Sequence, residues 1–213
     1  TLDWALRAIL IIGLPAAFGM VLAAGPLVAS VYGHGRFNAD DVQMTTWALW
    51  AYGAGFMGFS LVKVLLPGFY ARQETRLPMR YAITGLIVGM AFSLGLFVVH
   101  RAAGFAGAHV GLAISTSLTA WVNAALLFRR LRADGIYLPA AGWGAFALKI
   151  VLATAAMSGV IALLHGPIAG WLELGALARG GRLLLLVLAA ITAYFAVLLA
   201  LGVRPRDLRP RRG

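Results

Sequence analysis

Near its end the chain reads GRLLLLVLAAITAYFAVLLALGV, residues 181–203, a run in which Arg182 is the only charged side chain. A helix rises about 1.5 Å per residue, so roughly 20 apolar residues cross hydrocarbon about 30 Å thick. This run is long enough. Five others precede it, over residues 5–32, 42–69, 79–100, 106–128 and 143–165. They are continuous rather than alternating with period 2, which favours spanning helices over a membrane barrel. The expected fold class is all-α: a polytopic transmembrane helical bundle of about six transmembrane helices.

Composition agrees. Hydrophobic residues make up 62% of the chain and charged ones 12%, with a mean hydropathy of +0.88. Soluble domains carry roughly 45–50% apolar and about 25% charged residues. A net charge of +11 would raise nucleic acid as a partner of a soluble protein. Here the cations sit in short clusters between apolar runs with no base-reading motif, so no nucleic-acid partner is expected. Cysteine is absent, which excludes disulfides and thiolate metal sites and leaves the redox compartment open. The chain opens at Thr1 with no initiator Met and no charged leader, and it is expected to be a fragment.

The basic residues predict topology. Arg7, then Arg72, Arg76 and Arg80, then Arg129, Arg130 and Arg132, then the arginines of the tail 204–213 fall on one side. Arg36, Arg101, Arg179 and Arg182 fall on the other. Six spans with this alternation place both ends in the cytoplasm. Punctuation supports the boundaries: Asp40 and Asp41 suit a helix N-terminus, and Pro78 and Pro139 sit near helix starts. Pro15 and Pro67 lie inside spans and predict bends.

The same topology puts His34, His100, His109 and His165 on the outer side. Zinc binding or acid sensing is one reading of four imidazoles. The other is interfacial loop residues, and without helical ligand spacing or an accompanying carboxylate no metal is expected. Glycines within spans, such as Gly53, Gly55 and Gly58 or the Gly85–Gly89 pair, suit close helix packing or the bending of a transporter helix. The polar run Ser115, Thr116, Ser117, Thr119 and Asn123 suits hydrogen bonding between helices, with a cation site as the alternative. Asp3 and Arg7, at i,i+4 spacing, read as a local pair.

Charge within the spans is more specific. All seven acids lie in loops or at span ends, whereas the only two lysines, Lys63 and Lys149, lie inside spans. A charge in hydrocarbon costs roughly 2.5–3.5 kcal/mol on insertion scales and usually faces a cavity or a partner. With no acid available in these helices, a water-filled cavity holding an anionic, phosphate-bearing substrate is one reading. Snorkelling is the other, because each lysine sits roughly 10 Å from an expected interface at 1.5 Å per residue. Arg72, Arg76 and Arg80 form a compact basic loop that suits either headgroup contact or orientation by anionic lipid. No GxSxG, HExxH or Walker loop is present, nor an intramembrane acid pair, so no enzyme and no cofactor is expected.

Specific strings add a resemblance. Leu2-Asp3-Trp4, Gly13-Leu14-Pro15, the run Tyr32-Gly33-His34-Gly35-Arg36-Phe37 and the run Lys63-Val64-Leu65-Leu66-Pro67-Gly68-Phe69-Tyr70-Ala71-Arg72 occur in order and spacing. With Gly111-Leu112-Ala113 and Ala120-Trp121-Val122-Asn123-Ala124, the chain resembles the MurJ (MviN) family of lipid II flippases, within the multidrug/oligosaccharidyl-lipid/polysaccharide exporter superfamily. The resemblance implies a partial lobe of a fourteen-helix transporter around a cationic cavity. Residues 1–133 would be four helices of the C-terminal lobe, 134–203 two additional helices forming a lipid-tail groove, and 204–213 a basic cytoplasmic tail. It implies alternating-access transport of lipid II, or a related polyprenyl-diphosphate glycolipid, across the bacterial inner membrane. Partners would be membrane lipids and the missing N-terminal lobe. Lys63 matches a cavity lysine of the family, and Lys149 stands where a basic residue is typical. Some members resemble one another in a sodium site with Asn and Asp on the helix equivalent to 79–100; Gly85 to Phe97 holds neither, which argues against sodium coupling there. The alternatives are export of another lipid-linked oligosaccharide or a drug, and a non-transporting scaffold for cell-wall synthesis.

Overall fold

The computed structural model describes residues 2–33, 39–103 and 108–203. It contains α1 (Leu2–Leu22), α2 (Ala24–Tyr32), α3 (Ala39–Tyr70), α4 (Arg76–Ala103), α5 (Ala108–Ala133), α6 (Trp143–His165), the single turn α7 (Ala169–Leu172) and α8 (Ala176–Ala200). Among the described residues six helices, α1, α3, α4, α5, α6 and α8, are long and apolar enough to cross a membrane. This is an all-α, multi-pass membrane protein. The 32 residues of α3 extend about 48 Å, more than the hydrocarbon thickness, so the helix projects into an interface. Its first turn carries Asp40 and Asp41, where negative charge complements the helix dipole.

The first expected span divides in two. The helix runs unbroken through Pro15 and breaks instead at Ala23, whose backbone (φ −91°, ψ 7°) leaves the helical region. The cause lies three residues on. Pro26 has no amide to donate to the Leu22 carbonyl, and its ring crowds that carbonyl, so α2 begins afresh with Pro26 in its first turn. Pro78 likewise sits in the first turn of α4, while Pro139 lies in the loop ahead of α6.

The helices pack in the order α4, α5, α3, α1, α6, α8, with α2 bridging α3, α7 and α8 at one end. Glycine makes the α3–α5 seam: a Cβ on Gly55 would lie 2.8 Å from the Ser117 Cα, and one on Gly58 would lie 3.0 Å from the Trp121 amide. Ser117 Oγ donates to the Ala51 carbonyl at 2.6 Å, and Trp121 Nε1 to the Ala54 carbonyl at 2.8 Å. Gly85 and Gly89 bring α4 against α5 in the same way, a Cβ on either falling 3.0 Å from a carbonyl of α5. Small residues permit this approach where lipid offers no hydrophobic drive between helices. Packing is therefore what these glycines do here. Of the polar run on α5, Ser115, Thr116 and Thr119 bond carbonyls of their own helix, and Ser117 crosses to α3. A hydroxyl three or four residues after a carbonyl finds it without leaving the helix.

Two apolar clusters meet on α1. Leu6 joins Leu65, Phe69, Leu127, Leu131 and Tyr137. Ile11 joins Ile150, Ala153, Met157, Leu186, Tyr194 and Leu198. The second cluster contains a bond that sequence spacing alone does not reveal. Pro15 withholds the amide that would bond the Ile11 carbonyl, and buried Tyr194 Oη donates to that carbonyl at 2.6 Å. A carbonyl freed by proline inside a helix in lipid must be satisfied somehow, and α8 supplies the donor.

Tyr194→Phe is expected to destabilise the full-length protein by about 1–3 kcal/mol, the penalty of an unsatisfied buried polar group. In a Pro15→Ala background, where residue 15 regains an amide for the Ile11 carbonyl, the same substitution should cost much less. Thermal unfolding of the four variants in nanodiscs checks this; equal costs in both backgrounds would refute the link.

Candidate functional site

Lys63 is exposed on α3, on one helical face with Tyr52, Phe59 and Tyr70, all three also exposed. Positions 52, 59, 63 and 70 recur at the spacing of one face of an α-helix. Lys149 is half-buried on α6, beside the fully buried Ile150. Both helices pack on α1 and share no substantial interface, so the fold does not gather the two lysines into one cluster. Among the described residues neither makes an ion pair; the pairs present are Arg7–Asp3, Arg72–Asp134 and Arg130–Asp134.

The basic loop after α3 divides its labour. Arg72 Nη1 donates to Asp134 Oδ2 at 3.5 Å, and Arg130 Nε donates to the same oxygen at 3.0 Å. This joins the α3–α4 loop to the end of α5. Exposed pairs of this kind contribute about 0–1 kcal/mol, so the bridge orients the loop more than it stabilises the fold. Arg76 and Arg80 are exposed, lie one turn apart on α4, and pair with no acid among the described residues. Glu74 is already used, accepting the Leu77 amide at 3.3 Å at the start of α4.

Asp3 is more than half of a local pair. Its Oδ2 accepts from Arg7 Nε at 2.8 Å, as i,i+4 spacing predicts. Its Oδ1 accepts from Trp143 Nε1 at 2.6 Å, from Tyr137 Oη at 3.3 Å and from the Ala140 amide at 3.3 Å. Arg7 in turn lies 5.2 Å from the Trp143 ring centre and 5.1 Å from that of Phe146, a cation–π arrangement. One carboxylate thus fastens the start of α1 to the α5–α6 loop and the first turn of α6. Burial, then the negative charge of Asp3 and the bond to it, push the Tyr137 phenol up to about 12.

At the opposite end, buried Arg179 in the first turn of α8 donates only to backbone carbonyls: Nη1 to Ala29 at 3.0 Å and to Gly33, Nη2 to Leu172 at 2.9 Å, and Nε to Leu174 at 2.9 Å. Helix C-termini expose such carbonyls and carry partial negative charge. A guanidinium can therefore be buried here without a carboxylate. Beside it Trp171 Nε1 donates to the His165 carbonyl, and Arg182 lies 4.5 Å over the Trp171 ring. His34 and the side chains of His100 and His109 lie outside the described residues, as does the tail 204–213. Among the described residues no three metal-ligating side chains come together.

An open cavity of about 850 Å³ runs between α1, α3 and α5. Its lining is apolar, from Leu6 to Val21 on α1 and Gly53 to Leu65 on α3, with Tyr137 and Trp143 at one end. Neither lysine lines it. It offers no charge to an anion.

Against known proteins, the family model described as "Lipid II flippase MurJ" matches residues 1–179. The "Probable lipid II flippase MurJ" of Vibrio cholerae is 35% identical over 209 residues, covering 98% of this chain and 38% of the relative. The protein of the same description from Haemophilus influenzae is 34% identical over 208 residues, covering 98% and 39%. The "Lipid II flippase MurJ" of Burkholderia cenocepacia is 38% identical over 160 residues, covering 75% and 30%. The chain spans less than two fifths of the length of these relatives.

Two outcomes follow from the Asp3 cluster. Trp143→Phe should lower stability by about 1–3 kcal/mol through loss of a bond to a charged group, and in an Asp3→Asn background the loss should shrink; strict additivity in thermal unfolding would show that the two do not interact. Tyr137 keeps its proton when folded up to about 12, against 10 ordinarily. Between those values the unfolded chain binds fewer protons, so this contribution to stability is full below pH 10 and falls as pH rises toward 12. Tyr137→Phe should flatten that part of the stability–pH curve, and an unchanged slope would contradict it.

Proposed function

The chain belongs to the lipid II flippase MurJ family, and from that premise we propose that it is the C-terminal portion of a flippase. It acts in translocating lipid II, or a closely related polyprenyl-diphosphate glycolipid, across the bacterial inner membrane by alternating access. The observation that carries this reading is the charge pattern of the spans. Lys63 stands exposed within α3 and has no acidic partner among the described residues. An ammonium held in an apolar layer favours an anionic occupant over a cationic one. A diphosphate supplies that charge, and lysine binds phosphate as a point charge without a fixed fork geometry. Transport of this kind moves cargo without breaking or making its bonds.

In this reading Lys63 and Lys149 are separate cations along the route of the headgroup. Arg76 and Arg80, which pair with no acid among the described residues, meet the diphosphate or anionic lipid at the cytoplasmic side, while Arg72 holds the loop to Asp134. Both ends of the segment face the cytoplasm, following the arginine-rich loops. Residues 1–133 supply lobe helices, and α6 and α8, within 134–203, shelter the lipid tail.

In the full-length protein, Lys63→Ala is expected to lower flipping or depletion rescue at least about tenfold, the effect of losing one charge-assisted bond of about 1.5–3 kcal/mol. Membrane abundance should be unchanged, and Lys63→Arg should recover part of the activity. Lys149→Ala should show a smaller loss. Full activity of Lys63→Ala at normal abundance would remove Lys63 from the route of the headgroup.

A further inference from the structure

We propose that Arg182, at the end of the bundle opposite Arg76 and Arg80, is a phosphate-binding residue that takes the diphosphate of the polyprenyl-linked cargo. This rests on the function proposed above and adds to it the cation that meets the headgroup at the far end of its route.

Two arginines stand on the first turns of α8, and they are used differently. Arg179 is buried, and its Nε, Nη1 and Nη2 all donate to backbone carbonyls, so little of it is left for a ligand. Arg182 is half-buried. Its one hydrogen bond among the described residues runs from Nη2 to the His165 carbonyl at 3.5 Å, at the long limit of such contacts. It pairs with no acid among those residues. Its guanidinium lies 4.5 Å over the ring of Trp171, which is fully buried and whose indole donates to the same His165 carbonyl. Stacking holds a guanidinium by one flat face, while its N–H donors point out along the edge. Arg182 is thus fixed in place with donors to spare, the arrangement that suits a phosphate.

The surroundings favour a phosphate carried on a lipid. Leu163 and Leu164 immediately precede His165 on α6, Leu184 and Leu185 follow Arg182 on α8, and all four are exposed. A free phosphate gains nothing from them. A phosphate that bears a hydrocarbon chain sets the chain against apolar surface and its charge on the guanidinium. Among such lipids a diphosphate brings more negative charge and more acceptor oxygens to one cation than a phosphodiester does, and it is what the headgroup of the proposed cargo carries. A phospholipid shares the chemistry more weakly, and the experiment separates the two.

The test uses the full-length protein in detergent, with native mass spectrometry titrating two probes separately: a polyprenyl diphosphate without sugars, and phosphatidylglycerol. Arg182→Gln is expected to weaken binding of the diphosphate at least about tenfold, the loss of one charge-assisted bond, and that of phosphatidylglycerol by less than about threefold. Arg182→Lys, which keeps the charge and loses the flat stacked donor, should recover only part of the difference. Diphosphate binding unchanged in Arg182→Gln would overturn the proposal. So would an equal loss of both lipids, which would make Arg182 a general headgroup contact. If the Gln variant does not fold, Arg182→Lys carries the test, and undiminished diphosphate binding by it would overturn the stacked-arginine site. Repeating the titration in a Lys63→Ala background keeps the two claims apart: the part of binding that depends on Arg182 should persist there, whatever Lys63 does for flipping. Absence of diphosphate binding by the unsubstituted protein would overturn both this site and the proposed cargo.

Discussion

A backbone carbonyl in hydrocarbon has no water to turn to, and this protein is organised by how such carbonyls are satisfied. Pro15 frees the Ile11 carbonyl, and Tyr194 binds it from a different helix. Ser117 and Trp121 reach carbonyls of α3 from α5. Arg179 gathers the carbonyl ends of α2 and α7. In each case a side chain donates to main chain, so the helices are positioned by fixed backbone atoms. Two flexible partners searching for each other would fix them less well. The glycines complete the arrangement by letting the donor helix come near enough.

Charge is distributed to match. At one end, acids and arginines are paired, with Asp3 and Asp134 each serving several donors. At the other, an arginine is neutralised by carbonyl dipoles alone. Among the described residues neither lysine makes an ion pair. Lys63 stands exposed on α3, about two turns from the end of that helix, and Arg76 and Arg80 are likewise exposed and unpaired among the described residues.

The architecture was largely legible because its signal is length. Every apolar run became helical, the first as two helices, and the break in it follows from Pro26, three residues beyond Ala23. The Asp3–Arg7 pair was legible because both residues lie on one helix. What spacing could not show was any contact across the bundle. Nothing local distinguishes Tyr194 from its neighbours as the partner of a carbonyl 183 residues earlier, or Trp143 as the donor to Asp3. The same holds for the site. Residue type and depth single out Lys63 and Lys149, but the placement of one exposed on α3 and the other half-buried on α6 depends on which faces α1 covers. The apolar cavity is likewise a property of three helices at once.

The tie between Tyr194 and Ile11 also bears on how the protein is made. The ribosome delivers α1 before α8, so the Ile11 carbonyl enters the bilayer with its eventual donor not yet synthesised. The carbonyls of Ala29 and Gly33 wait in the same way for Arg179. Long-range closures of this kind are slow to form and leave intermediates open to mispairing. Until α8 arrives, α1 must be sheltered by water at the insertion machinery or by a temporary neighbour. The arrival of α8 is thus what releases α1 into its finished state.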